Sequence, residues 1–199
     1  MSRVSAGITI SVDGYFAGPD DHAGQGLGVG GERLHYWVFG GPWTYDTEQG
    51  GDPVPEDKEW LEEQVASTGA VVGGRWTYEA SGHWGGTNPW GLPFVIVTHR
   101  PEEQPEGAGF TFINGVTEAV EQAKNLAGGK GVHIMGGGDV IRQALDAGVV
   151  EQLSMIIAPV ILGGGKRLFD GLRRSFDLQQ LGVRQSRFAT FVDYGVNVS

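Results

Sequence analysis

The chain has 199 residues, enough for one domain with a full hydrophobic core, and its 40% apolar and 19% charged content is that of a globular chain, not a disordered one. A formal net charge of −10 argues against a nucleic-acid partner, whose phosphates need a basic footprint, although a local field can still hold one phosphorylated ligand. Cysteine is absent, which excludes disulfides and zinc thiolates.

Met1-Ser2-Arg3-Val4 opens the chain without the apolar stretch of a signal peptide. Val4 to Ser11 alternates and is β-branched, so it predicts a first strand, which Asp13-Gly14 ends with a turn signal. Residues 17–55 are rich in Gly, Pro and Asp. They predict a long irregular segment with a short helix near Glu32–Phe39, and a loop of that length is usually functional. Glu56 to Ser67 predicts a helix: Pro55 precedes it, acids crowd its first turn, and Trp60, Leu61, Gln64 and Val65 share one face. Short buried strands are expected at Ala70–Val72, Phe94–Thr98, Phe110–Ile113 and Val132–Met135, with helices at Trp76–Ala80, Val116–Leu126 and Asp139–Ala147. Gln152 to Ile161 reads as a further strand. Phe176 to Val198 reads as two long strands turning near Ser186. The longest apolar run, Met155 to Leu162, is far short of the ~20 residues of a membrane span. The expectation is a soluble cytoplasmic protein with no membrane partner. Helices alternating with short strands predict an α/β fold: a mostly parallel central sheet, an antiparallel C-terminal addition, and helices on the faces.

Gly136-Gly137-Gly138 stops a strand and opens a helix at Asp139 and Val140. Three glycines permit a tight turn and close approach of a ligand, and the helix offers unpaired N–H groups and a positive dipole end. Such a junction suits a phosphate or pyrophosphate, or is simply a strand-to-helix turn. Gly74-Arg75 and Thr77 follow another strand in the same manner, with a guanidinium fork and a hydroxyl for an anion; alternatively, Thr77 is a cap and Arg75 a surface cation. Thr98-His99-Arg100 closes a third strand and could hold a second phosphate, or be a solvated loop before Pro101. A second triplet, Gly163-Gly164-Gly165, precedes Lys166 and Arg167 without a helical pattern; it either touches a substrate phosphate or only turns the chain. No phosphate-binding P-loop, complete Rossmann fingerprint or nucleophile elbow is present, and the five histidines lack metal-ligand spacing. Trp37, Trp43, Trp84 and Trp90 lie in glycine-rich loops, where flat rings either pack the loops or stack on a heterocycle. Asp57 shares a stripe with Leu61 and Val65. It is either a helix N-terminal charge or an inward carboxyl of raised pKa that could donate a proton. Asp13 is ambiguous in the same way.

Five pieces in register, Ser11-Val12-Asp13-Gly14, Gly74-Arg75-x-Thr77-Tyr78-Glu79, Thr98-His99-Arg100-Pro101, Ile134-Met135-Gly136-Gly137-Gly138 and Ala158-Pro159-Val160-Ile161-Leu162-Gly163-Gly164-Gly165, resemble the dihydrofolate-reductase-like superfamily over about residues 4 to 196. Within it the chain is most similar to the reductase domain of the bifunctional riboflavin-biosynthesis deaminase/reductase and its stand-alone relatives. The resemblance implies an NADPH-dependent reductase acting on a C=N or C=O carbon of a small heterocyclic or ribosylamino-pyrimidine phosphate substrate. It also implies that Gly74, Arg75 and Thr77 contact cofactor phosphates, that Thr98, His99 and Arg100 lie near the 2′-phosphate, and that Gly136, Gly137, Gly138, Asp139 and Val140 hold the pyrophosphate. Asp13 would sit near the nicotinamide, and Asp57 matches the superfamily's helix acid only with a one-residue offset. The family often dimerises, which makes a homodimer an expected assembly. Elements of a zinc deaminase are absent from this sequence. A dihydrofolate or pterin reductase and a non-catalytic nucleotide-binding domain stand as alternative readings.

Overall fold

A computed structural model describes residues 3–47 and 51–197. The reading of Met1 and Ser2, positions 48–50 of the long segment and the expected strand end at Val198 lie outside that range. The chain runs β1 (Val4–Ser11), β2 (Tyr15–Ala17), a 3-10 turn (Gly31–His35), α1 (Pro55–Ser67), β3 (Thr68–Gly74), α2 (Arg75–Ala80), a second 3-10 turn (Gly82–Gly86), β4 (Phe94–Val97) and a third (Pro101–Glu103). It continues through β5 (Phe110–Ile113), α3 (Val116–Leu126), β6 (Gly131–Gly136), α4 (Gly138–Asp146), β7 (Gln152–Ala158), β8 (Lys166–Arg167), β9 (Asp177–Gln185) and β10 (Thr190–Asn197).

Eight strands form one sheet in the order β5-β4-β3-β6-β1-β7-β10-β9, and β2 pairs with β8 in a small second sheet. All pairs from β5 to β7 are parallel, whereas β10 is antiparallel to both β7 and β9. The expected mostly parallel sheet with antiparallel C-terminal strands is therefore the observed one. One face carries α3 and α4. Val116, Ala119, Val120 and Ala123 of α3 and Val140, Ile141, Ala144 and Leu145 of α4 recur at helical spacing and pack on Val72, Val132, Ile134 and Leu153. The opposite face is not continuous. A cluster of Trp37, Trp60, Ile156 and Phe191 holds α1 over β7 and β10, and a second of Val71, Tyr78, Phe94, Ile96, Phe110 and Phe112 covers β3 to β5. Between the two clusters, β1 and β6 are left as the floor of a cleft.

Most boundaries shift by a residue, the short helix expected near Glu32–Phe39 is the 3-10 turn Gly31–His35, and three further differences have a clear physical cause. β3 runs on either side of Ala70–Val72 because all seven of its residues are buried. The strand from Gln152 stops at Ala158, since Pro159 has no N–H to continue the ladder. Lys166 and Arg167 enter β8, where Gly165 (φ +117) lies so close to the Ala17 carbonyl that no Cβ fits.

Candidate active site

β3, β4 and β6 are parallel, so their carboxyl ends meet on one edge of the sheet. Each is followed by one of the three anion-type segments. The Gly136–Gly137 peptide is cis, and Gly136 has φ +115. A Cβ on Gly138 would overlap the Phe16 ring, one on Gly137 would lie 3.2 Å from Thr77 Oγ1, and one on Gly74 would lie 2.9 Å from Val140 Cγ2. The glycines thus let the α4 turn, the α2 turn and β2 close on one another.

That closure leaves a cavity of about 250 Å³ lined by Gly74, Arg75, Thr98, His99, Arg100, Gly137, Gly138, Asp139 and Val140, with Phe16, Trp76 and Lys166 among the rest. The three segments that lie far apart in the sequence are brought together. Gly136 shapes the turn without lining the cavity, and Thr77 faces the neighbouring cleft instead. At the α4 N-terminus no side chain caps the helix; the N–H groups of Val140 and Ile141 donate to the Gly137 carbonyl, and those of Gly138 and Asp139 precede them without an intrahelical acceptor. Arg75 donates through Nε to Glu79 Oε1 (2.7 Å) and through Nη2 to Glu103 Oε2 (2.7 Å), and its Nη1 is buried without a partner. Arg100 pairs with the same two carboxylates, and the Thr98 hydroxyl accepts from its backbone N–H at 3.0 Å. Asp139 is ion-paired with Arg142. An orphaned guanidinium nitrogen beside an open helix N-terminus fits the phosphates of a dinucleotide.

The second cavity, about 610 Å³, shares Phe16, Trp76 and Gly137 with the first. Gly7 and Thr9 of β1, His133 and Met135 of β6, Val71 and Ile156 floor it. One wall is the Trp60, Leu61, Gln64 and Val65 face of α1, together with Trp37 and Trp43; Trp76, Thr77, Trp84 and Trp90 stand opposite. The tryptophans pack and line at once. Trp37 Nε1 donates to Thr9 Oγ1 (3.0 Å) and its ring meets Trp60 and Phe191 edge-on; Trp84 packs on Trp90 and Phe110. The sequence reading missed His133. Its Nδ1 lies 3.1 Å from Ser5 Oγ, and its ring occupies the space over Gly7, where a Cβ would come within 2.9 Å of Cε1. A polar residue alternating with Val132 and Ile134 in a buried strand was the available signal. Burial holds His133 and His35 down to about 4, so both imidazoles are neutral at pH 7.

Neither candidate acid lines either cavity. Asp13 accepts from the backbone N–H groups of Leu162 (3.1 Å) and Gly163 (2.8 Å). These bonds, with that of Ser11 the strongest, hold its carboxyl down to about 2 and tie the β1 turn to the second glycine triplet. Asp57 does point inward, and is fully buried, but one turn before the cleft-facing part of α1. Burial raises its pKa against a smaller opposing effect of the Ser186 hydroxyl, and neither oxygen meets hydrogen-bond geometry. Among the described residues no cluster of three or more metal-ligating side chains is present, and no helix is long and apolar enough to cross a membrane.

Solved structures share the fold over 98–100% of the chain. A protein of Shewanella sp. PV-4 ascribed to riboflavin biosynthesis superposes with a TM-score of 0.73 at 18% identity, covering 98% of this chain and 99% of its own. A pyrimidine reductase-like protein of Corynebacterium diphtheriae gives 0.62 at 16% identity, covering 100% and 93%. Dihydrofolate reductase of Enterococcus faecalis, complexed with NADP(H) and RAB-propyl, gives 0.61 at 17%, covering 98% and 97%. These likenesses establish a dihydrofolate-reductase-like fold. In sequence, the uncharacterized protein YyaP of Bacillus subtilis is 32% identical over 88 residues, a match spanning 44% of this chain and 46% of that relative. The model of the RibD C-terminal domain matches residues 3–188, and the chain belongs to that family.

Proposed function

We propose that the protein is an NADPH-dependent reductase that adds a hydride to the carbon of a C=N or C=O group in a small flat ring compound. The carrying observation is the junction of the two cavities at Phe16, Trp76 and Gly137: an anion-type seat opens directly into an aromatic cleft. A protein of the same fold is complexed with NADP(H), which supports this cofactor. Gly136 to Val140 would hold the pyrophosphate at the α4 N-terminus, with Gly74 and Thr77 beside it. Arg75, Thr98, His99 and Arg100 would surround the 2′-phosphate. NADPH held by these residues would supply the hydride, and the residues themselves bind and orient it. The tryptophan walls hold the acceptor ring and exclude bulk water from its reacting face. The proton that completes the reduction, on the substrate nitrogen or oxygen, comes from water, because Asp13 and Asp57 stand away from the cleft lining.

Calorimetric titration with NADPH tests the reading; absence of binding would reject it. Arg75→Ala should weaken NADPH roughly 10- to 100-fold, about 1.5–3 kcal/mol for a lost charge-assisted phosphate contact, and NADH much less. Equal losses would remove Arg75 from the 2′-phosphate.

A further inference from the structure

All six tryptophans of the chain line the larger cleft, although they come from positions 37 to 90. Among the described residues its one carboxylate, Asp21, is matched by Lys166 (2.5 Å) and accepts from Trp76 Nε1 (3.0 Å), so these residues leave the wall without net charge. Among the described residues no lysine or arginine lines it, and none of the seven positions outside that range is Lys, Arg or His. The cations of this region, Arg75, Arg100 and Lys166, all line the smaller cavity. Two indole N–H groups in the cleft lining, of Trp43 and Trp60, are buried without acceptors.

A phosphate dianion transferred into such a wall would lose its hydration and meet no cation but Lys166, which Asp21 already neutralises. A planar ring loses little and gains stacking area against the aromatic walls. Resting on the reductase reading, we infer that the substrate of this cleft is a neutral, unphosphorylated aromatic or heterocyclic ring carbonyl or imine. The ribosylamino-pyrimidine phosphate that the family resemblance implies is not its substrate. The charge separation assigns phosphate to the cofactor end and the uncharged ring to the tryptophan end.

Matched pairs isolate the charge. Uridine against uridine 5′-phosphate, and riboflavin against riboflavin 5′-phosphate, are titrated into the full chain with NADPH present, read by quenching of tryptophan fluorescence. The neutral member of at least one pair should bind at least 10-fold more tightly. Equal or tighter binding of the phosphorylated members, or binding of none of the four, overturns the proposal. Val65→Arg places a cation on the α1 wall at an exposed position and should move the ratio about 10-fold toward the phosphorylated member; an unmoved ratio also counts against it. NADPH is titrated separately without ring compounds. Its failure to bind would sink the reductase reading while leaving the ring preference measurable without cofactor.

Discussion

At the glycine end of the cleft, three short segments that directly follow β3, β4 and β6 supply the lining through backbone, two arginines and a hydroxyl. At the tryptophan end, indoles arrive from the long segment before α1, from α1 itself, from α2 and from the irregular stretch after it. The first end depends on where parallel strands stop, which fixes backbone positions whatever the loops do. The second depends on how loops fold back, and its rings serve as both core and wall. Damage to a residue at the tryptophan end should therefore cost stability first and ligand second, and the reverse should hold at the glycine end.

Trp37→Ala breaks the comparison most severely. The ring is 6% exposed and touches Trp60 and Phe191, so its loss should cost about 3–5 kcal/mol in denaturant unfolding. NADPH affinity of the protein that remains folded should stay within about threefold, roughly 0.7 kcal/mol. A collapse of NADPH binding at full folded population would show that the two ends are not separable.

The same contrast explains what was legible in the sequence. Gly74-Arg75, Thr98-His99-Arg100 and Gly136-Gly137-Gly138 each combine a strand end with anion chemistry inside a few residues, and the parallel topology that joins them follows from alternating strands and helices. Gly136 shapes the turn and Thr77 faces the larger cleft, so neither lines the smaller cavity directly. The tryptophan cleft had no such local signature. Trp60 and Trp76 looked like helix residues, and His133 looked like one histidine of five. Asp57 was legible as an inward residue from its stripe with Leu61, but periodicity could not say how far along the helix the cleft extends.

Asp57→Asn sharpens the comparison by removing a charge that belongs to neither end. Burial without a partner disfavours the charged form of Asp57, so the uncharged amide, itself unsatisfied but cheaper to bury, should stabilise the protein at pH 7 by about 1–2 kcal/mol, the difference between burying a charged and a neutral polar group less a favourable helix-dipole contribution. The sign follows from the raised folded-state pKa: the native state holds its proton more tightly than the unfolded chain, whose carboxyl titrates near 3.9. The native state thus loses stability as pH rises from about 4 through the folded value, and the gain in the variant should vanish below about pH 4. Thermal unfolding at pH 3.5 and pH 7 reads both. Destabilisation at pH 7, or loss of turnover by a stable variant, would return Asp57 to the chemistry.

The smallest effect concerns the carboxylates that share the cofactor seat. Glu103 pairs with both Arg75 and Arg100, and Glu79 reaches both as well, so a 2′-phosphate must compete for guanidinium nitrogens already engaged. Glu103 is 40% exposed, and an exposed pair of this kind is worth about 0.2–1 kcal/mol. Glu103→Gln should therefore tighten NADPH by about two- to fivefold, with the gain shrinking as salt is raised, because the attraction it uncovers is itself screened. NADH lacks the third phosphate and should gain less. A variant in which both cofactors tighten equally would mean that Glu103 opposes the pyrophosphate rather than the 2′-phosphate, and one in which NADPH weakens would mean that Glu103 positions Arg75 for the phosphate more than it competes with it.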